Sequence, residues 1–224
     1  MVEPFIHEKK KEFQLERMIL FSDAVFAIAI TLLVIDIKIS GVTDPVNEQQ
    51  IIHALQNILP KIIGFIISFF LIGLYWTVHH RIFGFVNACS QRLIWLNLLF
   101  LFGIVLMPFS TSFYSEYILY YLKTPVIFYV CNICFLGFMN FFLWKYISNK
   151  KNHISGAIPP VLASYYSFRA LMVPIIFIIM LVAYLYIPRY AIWIPPFIPL
   201  VMWLSSRGFK KRLKREGTYL QKQR

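Results

Sequence analysis

The sequence predicts an all-α integral membrane protein with six transmembrane helices per chain. Composition comes first: 59% of the 224 residues are hydrophobic and 14% charged, against roughly 45–50% and about 25% in ordinary soluble domains. Patterning comes second, because the apolar residues form runs of membrane-crossing length rather than stripes along a surface helix. Charge placement comes third and orients the chain. The expected organisation is an N-terminal segment (1–16), a six-helix transmembrane domain (17–206) and a basic tail (207–224).

A crossing needs about 20 mostly apolar residues, within a range of roughly 17–25. Segments meeting or approaching that run from 17 to 39, 58 to 80, 92 to 114, 124 to 147, 164 to 187 and 190 to 206. The sixth is the shortest. Only Pro188 and Arg189 separate it from the fifth, which predicts a tight hairpin. Pro174 in the fifth, and Pro195, Pro196 and Pro199 in the sixth, should kink or loosen those helices, so both are expected at the periphery. The first run is too long for the apolar region of a signal peptide, contains Asp23 and lacks a small-residue cleavage pattern, so it is expected to be retained.

Lys and Arg gather beside alternate ends of these spans. Lys9, Lys10, Lys11 and Arg17 precede the first, Arg81 and Arg92 flank the second loop, Lys145, Lys150 and Lys151 flank the end of the fourth, and a cluster from Arg207 to Arg224 ends the chain. The opposite side carries Lys38, Lys61, Lys123 and Arg189. By the positive-inside rule both termini face the cytoplasm, which an even number of crossings requires. The net charge of +12 therefore reads as a topology signal rather than a nucleic-acid footprint, and the expected location is the cell inner (plasma) membrane.

No Gly-rich phosphate loop, Ser/His/Asp set or metal cluster stands in the sequence, and no cofactor is expected. Cys131-x-x-Cys134 has a spacing used by zinc sites but lacks a second ligand pair and falls inside an apolar run, so it reads as packing. The three cysteines suggest no disulfide framework and leave the redox compartment open. No second titratable group is placed to work with Asp23 in catalysis, which argues against an enzyme.

Chemistry concentrates in the first span. Asp23 is the one acid well inside any span, six residues beyond Arg17 and so about 9 Å along the helix. A charge at mid-membrane costs at least roughly 2.5–3.5 kcal/mol and should face protein or water with partners. At about 100° per residue, Phe21, Ala24, Ile28, Thr31, Leu32 and Ile35 fall within roughly 60° of Ile28 and form one apolar face, whereas Ser22 and Asp23 lie more than about 100° away. The helix thus has two sides with two jobs. Candidate partners for Ser22 and Asp23 sit at the same depth: His79, His80 and Arg81 end the second span, and Arg92, Trp95 and Asn97 open the third. Imidazole, indole and amide groups can each donate to a carboxylate or hydroxyl. The same residues also suit an interfacial aromatic belt with basic anchors, and Asp23 can staple helices without any further role.

The run from Arg17 through Phe21-Ser22-Asp23 to Ile28, Thr31, Leu32 and Ile35 resembles the signature of the transmembrane protein 175 family of potassium-permeable channels. Trp76-x-x-His79-His80-Arg81, Trp95-x-Asn97-Leu98 and Met107-Pro108-Phe109 extend the resemblance over the first half of the chain. The second half is similar in hydropathy alone. A single six-helix chain resembles the prokaryotic form, and the resemblance implies a homotetramer in membrane lipid with the first helix lining a central pore. It further implies that Ile28, Thr31 or Leu32, and Ile35 form the constriction and selectivity layers for potassium and other monovalent cations. Arg17, Ser22, Asp23, His79, His80, Trp95 and Asn97 would then form a polar network behind the pore. The sequence contains no T-V-G-Y-G filter and no span with an Arg ladder, so a modestly selective, voltage-independent potassium conductance is expected. A proton- or cation-coupled secondary transporter using Asp23 and His79 is the alternative, weakened by the lack of a detectable internal repeat.

Overall fold

The computed structural model describes residues 3–39, 44, 46–191 and 194–209, with side chains from Phe13 onward. The basic tail from Lys210 on, and the side chains of Lys9, Lys10 and Lys11, lie outside the described residues. The described chain is all-helical apart from a single bridge between Val86 and Ser155.

Among the described residues, five helices are long and apolar enough to cross a membrane. They are α1 (Glu3–Ile35), α2 (Glu48–Phe83), α3 (Gln91–Tyr117), α4 (Lys123–Ser148) and α5 (Pro160–Tyr186). All five coincide with the first five expected spans, with differences at their ends. α1 starts well before Arg17 and stops at Ile35 instead of residue 39. α2 starts ten residues early because Asn47 caps it, its side chain accepting from the Gln50 backbone N–H at 2.9 Å. At 36 residues α2 rises about 54 Å, well beyond a hydrocarbon core of about 30 Å, so part of it must project from the bilayer.

The sixth expected span, 190 to 206, is not one continuous helix. A short helix α6 (Pro188–Ala191), a 3-10 turn at Pro195–Phe197 and a helical run over 198–209 take its place. Pro195 and Pro196 supply no backbone N–H to bond back to the preceding turn, so the α-helical ladder is interrupted where the prolines stand.

The bundle is layered. α4 packs against both α3 and α5, while α1 lies on the outside against α2 and α3. One core runs through the middle from Phe26 and Leu33 to Ile104, Ile133 and Phe177. A second, built from Met18, Phe83, Leu93, Leu143, Trp144 and Ile154, closes the end that carries the basic residues. There the 84–90 loop bonds to the 149–159 loop, with Asn87 N–H donating to the Ile154 carbonyl at 2.8 Å. Trp144 Nε1 donates to the Ala163 carbonyl at 2.8 Å. At the opposite end Lys61 pairs with Glu116.

Polar side chains buried between helices find one another, as a solvent without hydrogen bonds demands. Thr111 Oγ1 donates to Ser68 Oγ at 2.7 Å and Ser68 Oγ lies 2.9 Å from the Tyr129 hydroxyl, tying α2, α3 and α4. Small residues permit the close approach of α4 and α5: a Cβ on Gly137 would collide with the Pro174 ring and sit 3.2 Å from the Ala170 carbonyl oxygen. Gly137→Ala is therefore expected to lower the thermal stability of the detergent-solubilised protein by about 1–3 kcal/mol. Gly73→Ala, where a Cβ meets nothing within 4 Å, should leave the melting curve unchanged.

Candidate pore helix and the polar cluster behind it

Two adjacent residues of α1 are tied to two different helices. Ser22 is fully buried. Its hydroxyl donates to the Met18 carbonyl at 2.8 Å and accepts from Asn97 Nδ2 of α3 at 2.9 Å. The amide oxygen of Asn97 then faces His79 Nε2 of α2 at 2.8 Å. An amide oxygen only accepts, so His79 must carry its proton on Nε2. The result is a one-way chain of donors, His79 to Asn97 to Ser22 to the Met18 carbonyl, that crosses α2, α3 and α1.

An aromatic cage keeps the His79 ring in place. Phe83, one turn along α2, stacks on it at 4.2 Å and Phe100 of α3 lies nearly parallel at 5.6 Å. Phe26 of α1 closes a third side at 5.5 Å. The bonded imidazole is thus surrounded by ring faces and excluded from water.

Asp23 follows a different route. Its carboxylate is partly buried and accepts from the indole Nε1 of Trp76, on α2, at 2.9 Å. His80 stacks on that indole at 5.8 Å. Ser22 and Asp23 project about 100° apart, and one is held by α3 while the other is held by α2. Together the two ties set the rotation of α1 as well as its position.

Among the described residues, the opposite face of α1 is left exposed. Ile28 and Ile35 are each 58% exposed and Leu32 is 40% exposed. Thr31 is exposed too, and its hydroxyl donates to the Ile28 carbonyl at 2.8 Å. That bond occupies the hydroxyl proton and leaves oxygen lone pairs directed away from the helix.

Of the residues expected in the polar network, the structure joins Ser22, Asn97 and His79 in one chain, and sets Asp23 and His80 against Trp76. It does not bring in Arg17 or Trp95. Arg17 is exposed and lies over the Phe13 ring at 5.7 Å, while Trp95 is 60% exposed; neither makes a side-chain hydrogen bond among the described residues. Sequence reasoning noted Trp76 only as part of the resemblance and missed it as the partner of Asp23. The available signal was spacing: Trp76, His79 and Phe83 are three and four residues apart and share one face of α2. Among the described residues, no group of three or more His, Cys, Asp or Glu side chains could hold a metal ion.

The class defined by this fold is a multi-pass helical membrane protein with its outermost helix pinned from behind. Residues 17–108 match the family described as Endosomal/lysosomal potassium channel TMEM175. A Streptomyces collinus protein named as a potassium channel is 40% identical over 98 residues, 44% of this chain and 46% of its own. A Chryseobacterium protein, also named as a potassium channel, is 38% identical over 96 residues, 43% of this chain and 46% of its own. The matched region therefore takes in about half the length of these relatives. The fold is similar to the crystal structure of a Chamaesiphon minutus protein described as a lysosomal potassium-selective channel TMEM175 homolog. That likeness has a TM-score of 0.71 and 23% identity, and covers 87% of this chain and 97% of that one. The first half of the chain is thus similar in sequence to the TMEM175 family, and the chain as a whole is similar in fold to that homolog.

The donor chain should behave as one unit. Asn97→Ala strands the His79 donor and is expected to destabilise the protein by about 1–3 kcal/mol, with Ser22→Ala costing less because it breaks one interhelical bond where Asn97→Ala breaks two. In a double-mutant cycle followed by tryptophan fluorescence during thermal melting, the two losses should fall short of adding. Strict additivity would show that Ser22 and Asn97 are not coupled.

Proposed function

We propose that four copies of the chain surround a central axis and form a potassium-permeable, modestly selective cation channel, with α1 of each copy lining the path. The observation that carries this reading is the uncovered stripe Ile28, Thr31, Leu32 and Ile35 on a helix whose other side is anchored by buried hydrogen bonds. Along its most apolar stretch 28% of α1 is buried inside the single chain, against 33% of α2, 39% of α5 and 50% in each of α3 and α4. A fourfold axis turns each residue of that stripe into a ring. Rings of Ile28 and Ile35, with Leu32 between, would form a hydrophobic constriction that gates by dewetting. A ring of Thr31 would add four acceptor oxygens, since each hydroxyl proton is already spent on its own helix. Oxygen atoms on mobile side chains discriminate less sharply than a filter of fixed carbonyls, in keeping with modest selectivity.

The charge pattern supports cytoplasmic termini in the inner membrane. In that arrangement the broken segment 188–209 makes the sixth crossing, packed beside α2 and α5. The relatives named as potassium channels support potassium as the permeant ion.

Purified protein in a planar bilayer under a potassium-to-sodium gradient tests the reading. Wild type should carry a potassium-preferring current without steep voltage dependence, and Ile28→Ala should raise the unitary conductance several-fold by widening the narrowest ring. Absence of cation current in both proteins, with saturable coupled uptake in its place, would overturn the channel in favour of a transporter.

A further inference from the structure

Arg169 lies inside α5, nine residues beyond Pro160 and so about 14 Å along the helix. A cation at that depth needs an anion or water. Its guanidinium lies over the Tyr165 ring, and Nη1 donates to the Tyr165 hydroxyl at 3.0 Å. Neither contact neutralises it. Among the described residues no carboxylate pairs with it, and its buried Nε has no hydrogen-bond partner.

Beside Arg169 two cavities of different character adjoin. A small cavity of about 20 Å³, bounded by Arg169, Asn140 and Tyr75, shares Leu74 and Met202 with a much larger groove of about 530 Å³. Apolar side chains line that groove, from Ile63, Ile66 and Phe70 of α2 to Pro195, Pro199 and Met202 of the terminal segment. Its α2 wall from Ile63 to Leu74 is about 16 Å long, about half of a hydrocarbon core of about 30 Å, and runs from about 11 Å short of Arg81 past the middle of the membrane toward Lys61. Its volume falls in the range of pockets that hold small ligands, roughly 300–1,000 Å³.

The polar end also lies near the right surface. Val78 lines the Arg169 cavity and is three residues from Arg81, at the end of the bundle that carries the basic clusters. A long Arg side chain at this depth can reach toward the headgroups. Arg207, stacked on Trp203 at 3.5 Å, adds a second cation on the terminal segment that forms the other wall.

We propose that this cleft is a binding site for an anionic phospholipid of the leaflet at the basic end. Its phosphate pairs with Arg169, and one acyl chain occupies the groove between α2 and residues 195–202. Charge complementarity selects the headgroup, since a guanidinium forks onto phosphate oxygens, and the apolar walls select the chain. The bound lipid fills the space left where the prolines break the terminal segment and so tethers that segment to α2. The site is independent of the pore and does not rest on the channel reading.

Native mass spectrometry of the detergent-solubilised full chain, titrated with phosphatidylglycerol or with phosphatidylcholine of the same acyl chains, tests the proposal. Wild type should retain phosphatidylglycerol preferentially. Arg169→Gln should weaken that retention by at least roughly fivefold, the effect of about one basic residue at a lipid surface. Arg169→Lys should keep the preference for the anionic lipid. Ile66→Trp, which fills the groove and leaves the charge, should weaken both lipids together. Monodispersity by gel filtration and an unchanged melting curve in phosphatidylcholine separate loss of the site from loss of the fold. Equal retention of the two lipids by wild type, or retention indifferent to Arg169→Gln and Ile66→Trp, would overturn the proposal. So would cross-linking of an Ile66→Cys variant to a neighbouring copy, because the groove would then belong to a subunit interface.

Discussion

The pair of ties on α1, Ser22 to Asn97 and Asp23 to Trp76, is the constraint on which the rest of the arrangement depends. Helix packing alone is a soft determinant of rotation in lipid, because hydrocarbon is as apolar as the side chains it touches. Two hydrogen bonds from neighbouring residues to different helices are not soft. Turning α1 by one residue would carry the Asp23 carboxylate into the fully buried position of Ser22, facing the Asn97 amide beside the His79 ring and its Phe83 and Phe100 neighbours. An uncompensated charge there costs several kcal/mol, more than any regained side-chain contact. The face bearing Ile28, Leu32 and Ile35 is presented outward because the polar face cannot be moved.

The hydrogen bonds matter less for their net strength than for the cost of breaking them. Interhelical bonds in membranes average only about 0.6 kcal/mol, and three or four would add little to the stability of a bundle this large. Leaving a buried donor such as His79 Nε2 unpaired costs about 1–3 kcal/mol. The aromatic cage raises that penalty by shutting out water that could otherwise stand in. Specificity of helix rotation, rather than stability, is what such a cluster supplies.

Much of this was legible because the membrane makes polar residues conspicuous. Asp23 stood out as the one acid inside a span, and the helical wheel separated it from the Ile28 face before any coordinates. His79 and Asn97 could be shortlisted by depth alone. Depth could not choose among donors at the same level, however, which is why Trp95 and Arg17 were grouped with them: both have the right chemistry, but Trp95 points outward from α3 and Arg17 lies over Phe13. The helix ends were misplaced for a related reason. Hydropathy marks where the chain meets lipid, whereas Asn47 starts α2 by capping its N-terminus in the polar region beyond. The break at Pro195 and Pro196 followed directly from proline chemistry, yet nothing in the composition of that segment foretold the groove beside it. The groove depends on where α2 passes, a tertiary fact.

The central claim is that the uncovered stripe of α1 meets its own copies around an axis. Disulfide trapping in native membranes tests this most directly, using single cysteines at Ile28, Ile35 or Ile179 in a background lacking Cys89, Cys131 and Cys134. Cβ atoms must approach within about 3.5–4.5 Å to bridge. Oxidation should link subunits through positions 28 and 35 and leave position 179, exposed on α5, unlinked. Linking at 179 with none at 28 or 35 would place α5 at the axis and α1 against lipid, and would contradict the account.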